Sequence, residues 1–120
     1  MISLTDFEGN ARPVIAFEIG QLVCHRRYGY RGVIVACDPC CQAGEKWYLS
    51  NKTQPPREQP WYHVLVHDSG GISTYVAQSN LESDESGQPI DHPRLKTYFS
   101  TFQDGRYILR ESTGQGSCGI

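Results

Sequence analysis

Residues 17–39 read FEIGQLVCHRRYGYRGVIVACDP, and the predicted architecture is built around them. Two runs, LVCHRR at 22–27 and VIVAC at 33–37, flank a tip of sequence YGYRG whose two glycines can supply positive φ. The second run is apolar and largely β-branched at successive positions, so it predicts a strand buried on both faces. Asp38-Pro39 ends that strand, because proline cannot donate to a ladder. The stretch therefore predicts a β-hairpin with a basic, aromatic tip.

A second hairpin follows. WYHVLVH at 61–67 has the strongest strand pattern, and DSGG at 68–71 predicts a turn. The predicted strands lie near 21–27, 30–37, 61–68 and 72–78. A sheet this small protects its edge strands by curving toward a closed barrel. The predicted fold class is therefore mainly β, a small SH3-like, partly open antiparallel barrel.

The two faces of the third strand can be predicted from the alternation of its side chains. Trp61 and Tyr62 should point to opposite faces, since successive strand residues do so. The predicted core residues of the second and third strands are Val33, Val35, Val64 and Val66.

Three units are predicted along the chain: an N-terminal arm over 1–16, the barrel domain over 17–109 and a flexible tail over 110–120. The connection at 39–60 is long, which is often a sign of function, and a short helical turn is expected near 43–49. Trp47 and Tyr48 within it either pin the loop onto the barrel or form a stacking surface for a ligand.

The C-terminal third predicts small elements. A helical turn is expected at 79–82 and a surface loop at 83–90. A short helix is predicted over 91–99, with Asp91 as its N-cap and Pro93 in its first turn. An apolar stripe should lay this helix on the sheet, formed by Leu95, Tyr98, Phe99 and Phe102. A last edge strand is expected at 107–109.

Composition narrows the function classes. The 120 residues fit one domain, and a net charge of −2 with a pI near 6.0 argues against a general nucleic-acid-coating protein. The sequence has neither a signal-peptide pattern nor an apolar run near the ~18 residues of a membrane span. We therefore expect a cytoplasmic protein, nucleoid-associated if its partner is DNA. Catalytic motifs are missing from the sequence, so we expect a non-enzyme without a cofactor.

Charge is distributed unevenly. Residues 20–60 carry six Lys or Arg against three Asp or Glu, whereas the rest of the chain carries five against ten. Arginine beside aromatic rings suits phosphate contact together with base or methyl contact, although arginines at a turn can equally be solvated charge. The candidate DNA-binding residues are Arg26, Arg27, Tyr28, Tyr30, Arg31, Lys46, Trp47, Lys52 and Arg57.

Two segments, 17–39 and 60–81, resemble the hemimethylated-DNA-binding domain family, also called YccV-like. The resemblance rests on the motifs FxIGQ at 17–21, YxYRGVI at 28–34, PWYHVLV at 60–66 and YVAxxNL at 75–81, together with His25, Asp38-Pro39 and Asp68. Bacterial members of this family include the heat-shock protein HspQ. The tail, from His92-Pro93 to Tyr107-Ile108, and the loop residues Cys40, Cys41 and Trp47 resemble the version found in F-box proteins.

The resemblance implies an SH3-like barrel without catalytic residues. It also implies two kinds of partner. The first is DNA, in particular hemimethylated DNA; the second is a protein, because bacterial relatives adjust the specificity of the ATP-dependent protease Lon in the stress response. The acidic remainder of the chain favours the protein-interaction adaptor, and the positive segment favours DNA. The oligomeric state and the methylation preference stay open.

The five cysteines allow two interpretations. A C-x-x-C at Cys37–Cys40, with Cys24 across the hairpin from Cys37, would suit zinc or redox chemistry. A second C-x-x-C is missing, and His63 and His67 lie about 13 Å apart on an extended strand. An odd cysteine count also fits a reducing compartment.

We predict that the cysteines are reduced and free of metal, because the sequence holds no complete ligand set. Elemental analysis of protein purified without added metal should find zinc well below one equivalent. One equivalent of zinc, lost on treatment with a chelator, would contradict this prediction.

Overall fold

The structure of the chain is a computed structural model that describes residues 14–110. Residues 1–13 of the predicted arm over 1–16, and residues 111–120 of the predicted tail over 110–120, lie outside the described residues. The strands described are β1 (Leu22–His25), β2 (Arg31–Asp38), β3 (Trp61–Val66), β4 (Ser73–Ala77), β5 (Leu81–Ser83), β6 (Phe99–Gln103) and β7 (Arg106–Leu109). Two short helices, α1 (Glu45–Ser50) and α2 (Leu95–Tyr98), and one 3₁₀ turn (Gln78–Asn80) accompany them.

The strands form two antiparallel sheets. The larger has the order β4-β3-β2-β1-β5 and is not closed, and the smaller is the hairpin of β6 and β7. The predicted class, mainly β with a partly open antiparallel barrel, is therefore confirmed. All four predicted strands are present, as are the short helix in the long loop and the last edge strand. No described helix is long and apolar enough to cross a membrane.

Strands β2 and β3 are buried on both faces, as the sequence of β2 predicted. Val33 lies opposite Leu65 and Ile34 lies opposite Val64, and all four side chains are almost fully buried. The register shifts between Ile34 and Ala36, as at a β-bulge, which inserts an extra residue into one strand. Val35 lies at this irregularity and packs against the second core, but it is only partly buried. The prediction that Val35 is a core residue is therefore only partly right.

Each face of the larger sheet has its own apolar core. The first core contains Phe17, Val23, Ile34, Tyr62, Val64, Val76 and Leu81. The second lies between the sheet and the C-terminal segment, and it contains Leu22, Val33, Leu65, Ile90, Phe99 and Tyr107. Trp61 belongs to neither and packs with Cys41 and Ala77 beneath the long loop. Trp61 and Tyr62 therefore lie in different clusters, as predicted from the alternation of the strand.

The two glycines of the first hairpin serve different purposes. Gly29 has a φ of 76°, as predicted for a tight turn. Gly32 is inside β2 without positive φ, and a Cβ there would lie 2.5 Å from the carbonyl oxygen of Leu65. Its prediction as a turn glycine is therefore wrong, because Gly32 is required by the close approach of β2 and β3.

The C-terminal elements differ from their predictions. The 3₁₀ turn ends at Asn80, and 81–83 form β5, because β1 needs a partner on its open edge. Helix α2 covers only Leu95–Tyr98 and has no side-chain cap, so Asp91 is not its N-cap. Phe99 and Phe102 of the predicted helical stripe lie on β6, yet the whole stripe still packs on the second core.

We predict that Val64→Ala lowers the free energy of unfolding by about 1–3 kcal/mol, because it removes buried methyl groups from the first core. Val14→Ala is the matched control, since Val14 is 78% exposed and the same change there should stay within about 0.5 kcal/mol. Denaturant unfolding measures both. Equal effects of the two substitutions would show that β3 is misplaced.

Candidate nucleic-acid interface

His25 organises the tip of the first hairpin. The backbone N–H groups of Arg27 and Tyr28 donate to its Nδ1 atom at 3.0 and 3.1 Å. The imidazole stacks on Tyr28 with 4.5 Å between ring centroids, and Tyr30 lies at 5.1 Å on the same ring. Since Nδ1 accepts two hydrogen bonds, the ring must be neutral there. Burial, and then the charge of Arg27, lowers the pKa of His25, which favours this form.

The long loop is fixed onto the sheet by aromatic side chains. Trp47 meets Trp61 and Tyr75 in edge-to-face contacts, with centroids 6.3 and 5.7 Å apart. Tyr48 also packs on Trp61, and its hydroxyl donates to the Pro55 carbonyl oxygen at 2.8 Å. The interpretation that Trp47 pins the loop is therefore confirmed, and its ring remains 38% exposed.

Tyr75 ties the start of this loop to the sheet. Its hydroxyl donates to the Asp38 carboxylate at 2.6 Å and accepts from the backbone N–H of Gln42 at 3.0 Å. Burial, and then the hydrogen bond to Asp38, raises the pKa of Tyr75, so the phenol stays protonated at neutral pH.

A groove of about 190 Å³ runs between the hairpin tip and the long loop. The tip contributes three ring side chains, the loop contributes Trp47 with several polar residues, and β3, β4 and the 3₁₀ turn supply the remaining wall. Its lining residues are His25, Tyr28, Tyr30, Trp47, Asn51, Lys52, Thr53, Pro55, Trp61, Thr74, Tyr75, Val76, Ala77 and Asn80. Among these, Lys52 is the only side chain with a full charge at neutral pH. The groove is therefore aromatic and carries one positive charge.

The nine predicted binding residues divide into three groups. The structure brings four together in the groove: Tyr28, Tyr30, Trp47 and Lys52. Arg27 and Lys46 are exposed, Arg27 over the ring of Tyr28 at 5.9 Å and Lys46 on helix α1. The remaining three arginines are held by contacts within the chain: Arg26, Arg31 and Arg57.

Arg31 is committed to the neighbouring acidic loop. Its Nε atom lies 2.6 Å from a carboxylate oxygen of Asp84, and Nη2 donates to the hydroxyl of Ser86 at 3.1 Å. Burial alone would raise the pKa of Asp84, but the hydrogen bonds from Arg31 and Ser86 outweigh it and lower that pKa. The Arg31 guanidinium therefore neutralises a partly buried carboxylate of its own chain.

Arg26 and Arg57 also have internal partners. Arg26 donates from Nε to the Leu81 carbonyl oxygen at 3.1 Å and lies 3.6 Å from the carboxylate of Glu82. Arg57 donates to the Ala43 carbonyl oxygen at 2.6 Å and lies 4.8 Å from the ring centroid of Tyr48. Arg57 thus helps to hold the long loop closed.

Several lining residues were not among the predicted binding residues. Trp61 and Tyr75 belong to predicted strands, and only the packing of the loop against them makes them walls of a groove. Asn80 was visible as part of the motif YVAxxNL, but nothing in the sequence places it beside the hairpin tip. Thr74 also lines the groove, where its hydroxyl group forms a hydrogen bond of 2.9 Å with the hydroxyl group of Tyr30.

The cysteines do not meet as the zinc interpretation required. Cys24 lies opposite Arg31 in the ladder of β1 and β2, so Cys24 and Cys37 are not paired across the hairpin. Among residues 14–110, no cluster of three or more His, Cys, Asp or Glu side chains could hold a metal ion.

Comparison with known proteins identifies the domain. The model of one protein family, YccV-like, matches residues 15–106. That family is described as "Hemimethylated DNA-binding protein YccV like". The chain belongs to the YccV-like family. F-box only protein 21 from Homo sapiens, from Pongo abelii and from Mus musculus is 41% identical to this chain over 97 residues. The match covers 78% of the chain but 15% of each relative, so the chain corresponds to a small part of those proteins.

This family assignment confirms the resemblance in the motifs and supports a DNA-binding module. The family is one of DNA-binding domains and is not a known enzyme family. In this YccV-like domain the motifs YxYRGVI and PWYHVLV both line the aromatic groove, through Tyr28, Tyr30 and Trp61.

We predict that acid destabilises the hairpin tip by protonating His25. The pKa of His25 is lowered from its ordinary value of 6.5, so its contribution to stability is complete above about pH 6.5 and is lost as the pH falls through the folded-state pKa. Denaturant unfolding of the parent and of His25→Asn measures this, because asparagine can still accept a hydrogen bond but cannot be protonated.

The difference in unfolding free energy between parent and His25→Asn should shrink as the pH falls from about 7.5 to 5. Curves that stay parallel over this range would contradict the prediction. Acidic residues titrate in both proteins, so they cancel in the comparison.

Proposed function

We propose that this YccV-like domain is a non-enzymatic DNA-binding module whose contact surface is the aromatic groove and its rim. The observation that carries the proposal is the convergence of Tyr28, Tyr30 and Trp47 with Lys52 in one groove, in a domain of a DNA-binding family. Aromatic rings offer contact to bases, and cations beside them offer contact to phosphates.

The cations that we assign to phosphate contacts are not the densest cluster of positive charge in the sequence. Arg27, Lys46 and Lys52 are exposed, at the hairpin tip, on α1 and on the loop that follows α1. The internal contacts of Arg26, Arg31 and Arg57 make them weaker candidates, because a phosphate would have to compete with a carboxylate or a carbonyl oxygen already in place. The Arg31 contact would also leave Asp84 without its partner.

Preference for hemimethylated DNA is the finer part of the proposal. A base methyl group is apolar, and apolar side chains recognise the thymine methyl group in DNA complexes. Tyr30 and Trp47 line the same groove, so either ring can contact such a methyl group while Lys52 contacts the adjacent phosphate.

A protein-interaction adaptor, modulating ATP-dependent proteolysis of the Lon type, is the second candidate. Two observations favour it: the net charge of −2, and the internal pairing of Arg26 and Arg31 with Glu82 and Asp84. Both reduce the positive charge that DNA affinity requires. An adaptor surface with an apolar centre should depend less on salt than a DNA surface does.

We predict that Arg27→Ala combined with Lys52→Ala weakens binding to a hemimethylated duplex and lowers the slope of log affinity against log salt by about 2, because each lost phosphate contact removes about 0.9 of slope. Fluorescence anisotropy across a salt series measures both quantities. Lys96→Ala is the matched control, since Lys96 is an exposed cation on α2, outside the groove.

Two results would contradict this proposal. An unchanged slope in the double variant would place the DNA surface elsewhere on the domain. If the parent does not bind DNA even at low salt, the adaptor candidate replaces the DNA-binding one. A pull-down with and without nuclease then tests whether the captured protein partner depends on nucleic acid.

A further inference from the structure

The groove is recessed, and this restricts what can reach its aromatic wall. Tyr28 and Trp47 stand at the rim with 52% and 38% of their surface exposed. Trp61, farther in, is 3% exposed and packs against Tyr75 with 5.3 Å between ring centroids. Proteins that read base pairs in a duplex insert a protruding helix or β-ribbon into the DNA groove. With a concave protein surface the roles are reversed, because part of the DNA must enter the protein.

The size of the groove fits one ring system. Its volume of about 190 Å³ lies below the ~300–1,000 Å³ of pockets that enclose drug-sized ligands. A base that remains stacked and paired cannot enter such a space, because its neighbours and its partner base would have to follow. A single base outside the stack has no such obstacle.

We propose that the groove receives one unstacked base of the bound DNA. This inference rests on the proposed function and names the part of the DNA that enters the site. The base stacks against Trp47 at the rim, and Lys52 contacts the phosphate that follows it. Stacking on aromatic side chains accepts any base, since every base has a π face.

Polar groups in the walls match the edge of a base. Asn80 lines the groove, and its carboxamide has no hydrogen-bond partner among residues 14–110. A carboxamide pairs with bases through one donor and one acceptor. The wall thus holds one donor and one acceptor, both on Asn80, that contacts within the described part of the domain leave unused.

Charge disfavours the alternative occupant, a methylated ammonium group. Aromatic groups arranged around a cavity also bind methylated ammonium groups through cation–π contacts. Here Lys52 is the only fully charged lining residue, and a second cation in the groove would be repelled by it. A neutral base joined to an anionic phosphate has the complementary charge.

The test compares three DNAs in fluorescence anisotropy: a fully paired hemimethylated duplex, the same duplex with one extra unpaired base, and the single strand. The unpaired base should raise affinity over the paired duplex by about 5- to 150-fold, the range that base–aromatic stacking gives per base. Both tryptophans of the chain line the groove, so occupation should also quench intrinsic tryptophan fluorescence.

Trp47→Ala should abolish the gain from the unpaired base, and Trp47→Phe should retain most of it because a ring remains. Leu49→Ala is the matched control: Leu49 lies on the same helix, is 59% exposed and does not line the groove. It should keep the full gain. Thermal unfolding of each variant separates a loss of the site from a loss of the fold.

The outcomes separate this inference from the proposed function. Salt-dependent binding of the paired duplex without any gain from an unpaired base would overturn the inference and leave DNA binding intact. Absence of binding to all three DNAs would overturn both. Tryptophan quenching by a trimethyl-lysine peptide, without quenching by DNA, would assign the groove to a cationic protein side chain and overturn the inference as well.

Discussion

The pairing of β2 with β3 is the interaction on which the rest of the structure depends. Val33 with Leu65, and Ile34 with Val64, place two apolar pairs on opposite faces of one ladder. Each face then needs its own cover, since exposed apolar surface on either side would be unfavourable. On one face Phe17 and side chains of β1, β4 and β5 complete the first core, and on the other the C-terminal segment completes the second. Gly32 lets the two backbones approach closely enough for this pairing.

The same ladder determines which charges remain available for a partner. Arg31 begins β2, and its side chain reaches the acidic loop after β5, where Asp84 neutralises it. Arg26 follows β1, and its neighbour on β5 is Glu82. Because β5 completes the open edge of β1, its acidic residues come close to the arginines of the tip. The most basic stretch of the sequence thus contributes less free positive charge than its composition indicates.

The aromatic groove depends on a neutral histidine and a pinned loop. His25 holds the tip by accepting two backbone hydrogen bonds, and it supplies a stacking partner for Tyr28. The loop at 39–60 is held by Tyr48, by Arg57 and by the Tyr75 hydroxyl. The groove exists because these side chains fix two connections, one on each side of it.

By itself, the sequence determined the elements with local causes. The hairpin of β1 and β2, the two-faced burial of β2, the strand β3 and the family resemblance all follow from residue type, period and motif. Tertiary structure decided the rest, because it depends on pairing between distant segments. Residues 81–83 become a strand only because β1 has an open edge, and Asp84 and Glu82 then meet arginines more than fifty residues away. The groove likewise joins residues from 25 to 80, and no local pattern records that Trp61, Tyr75 and Asn80 line one groove with Tyr28 and Trp47.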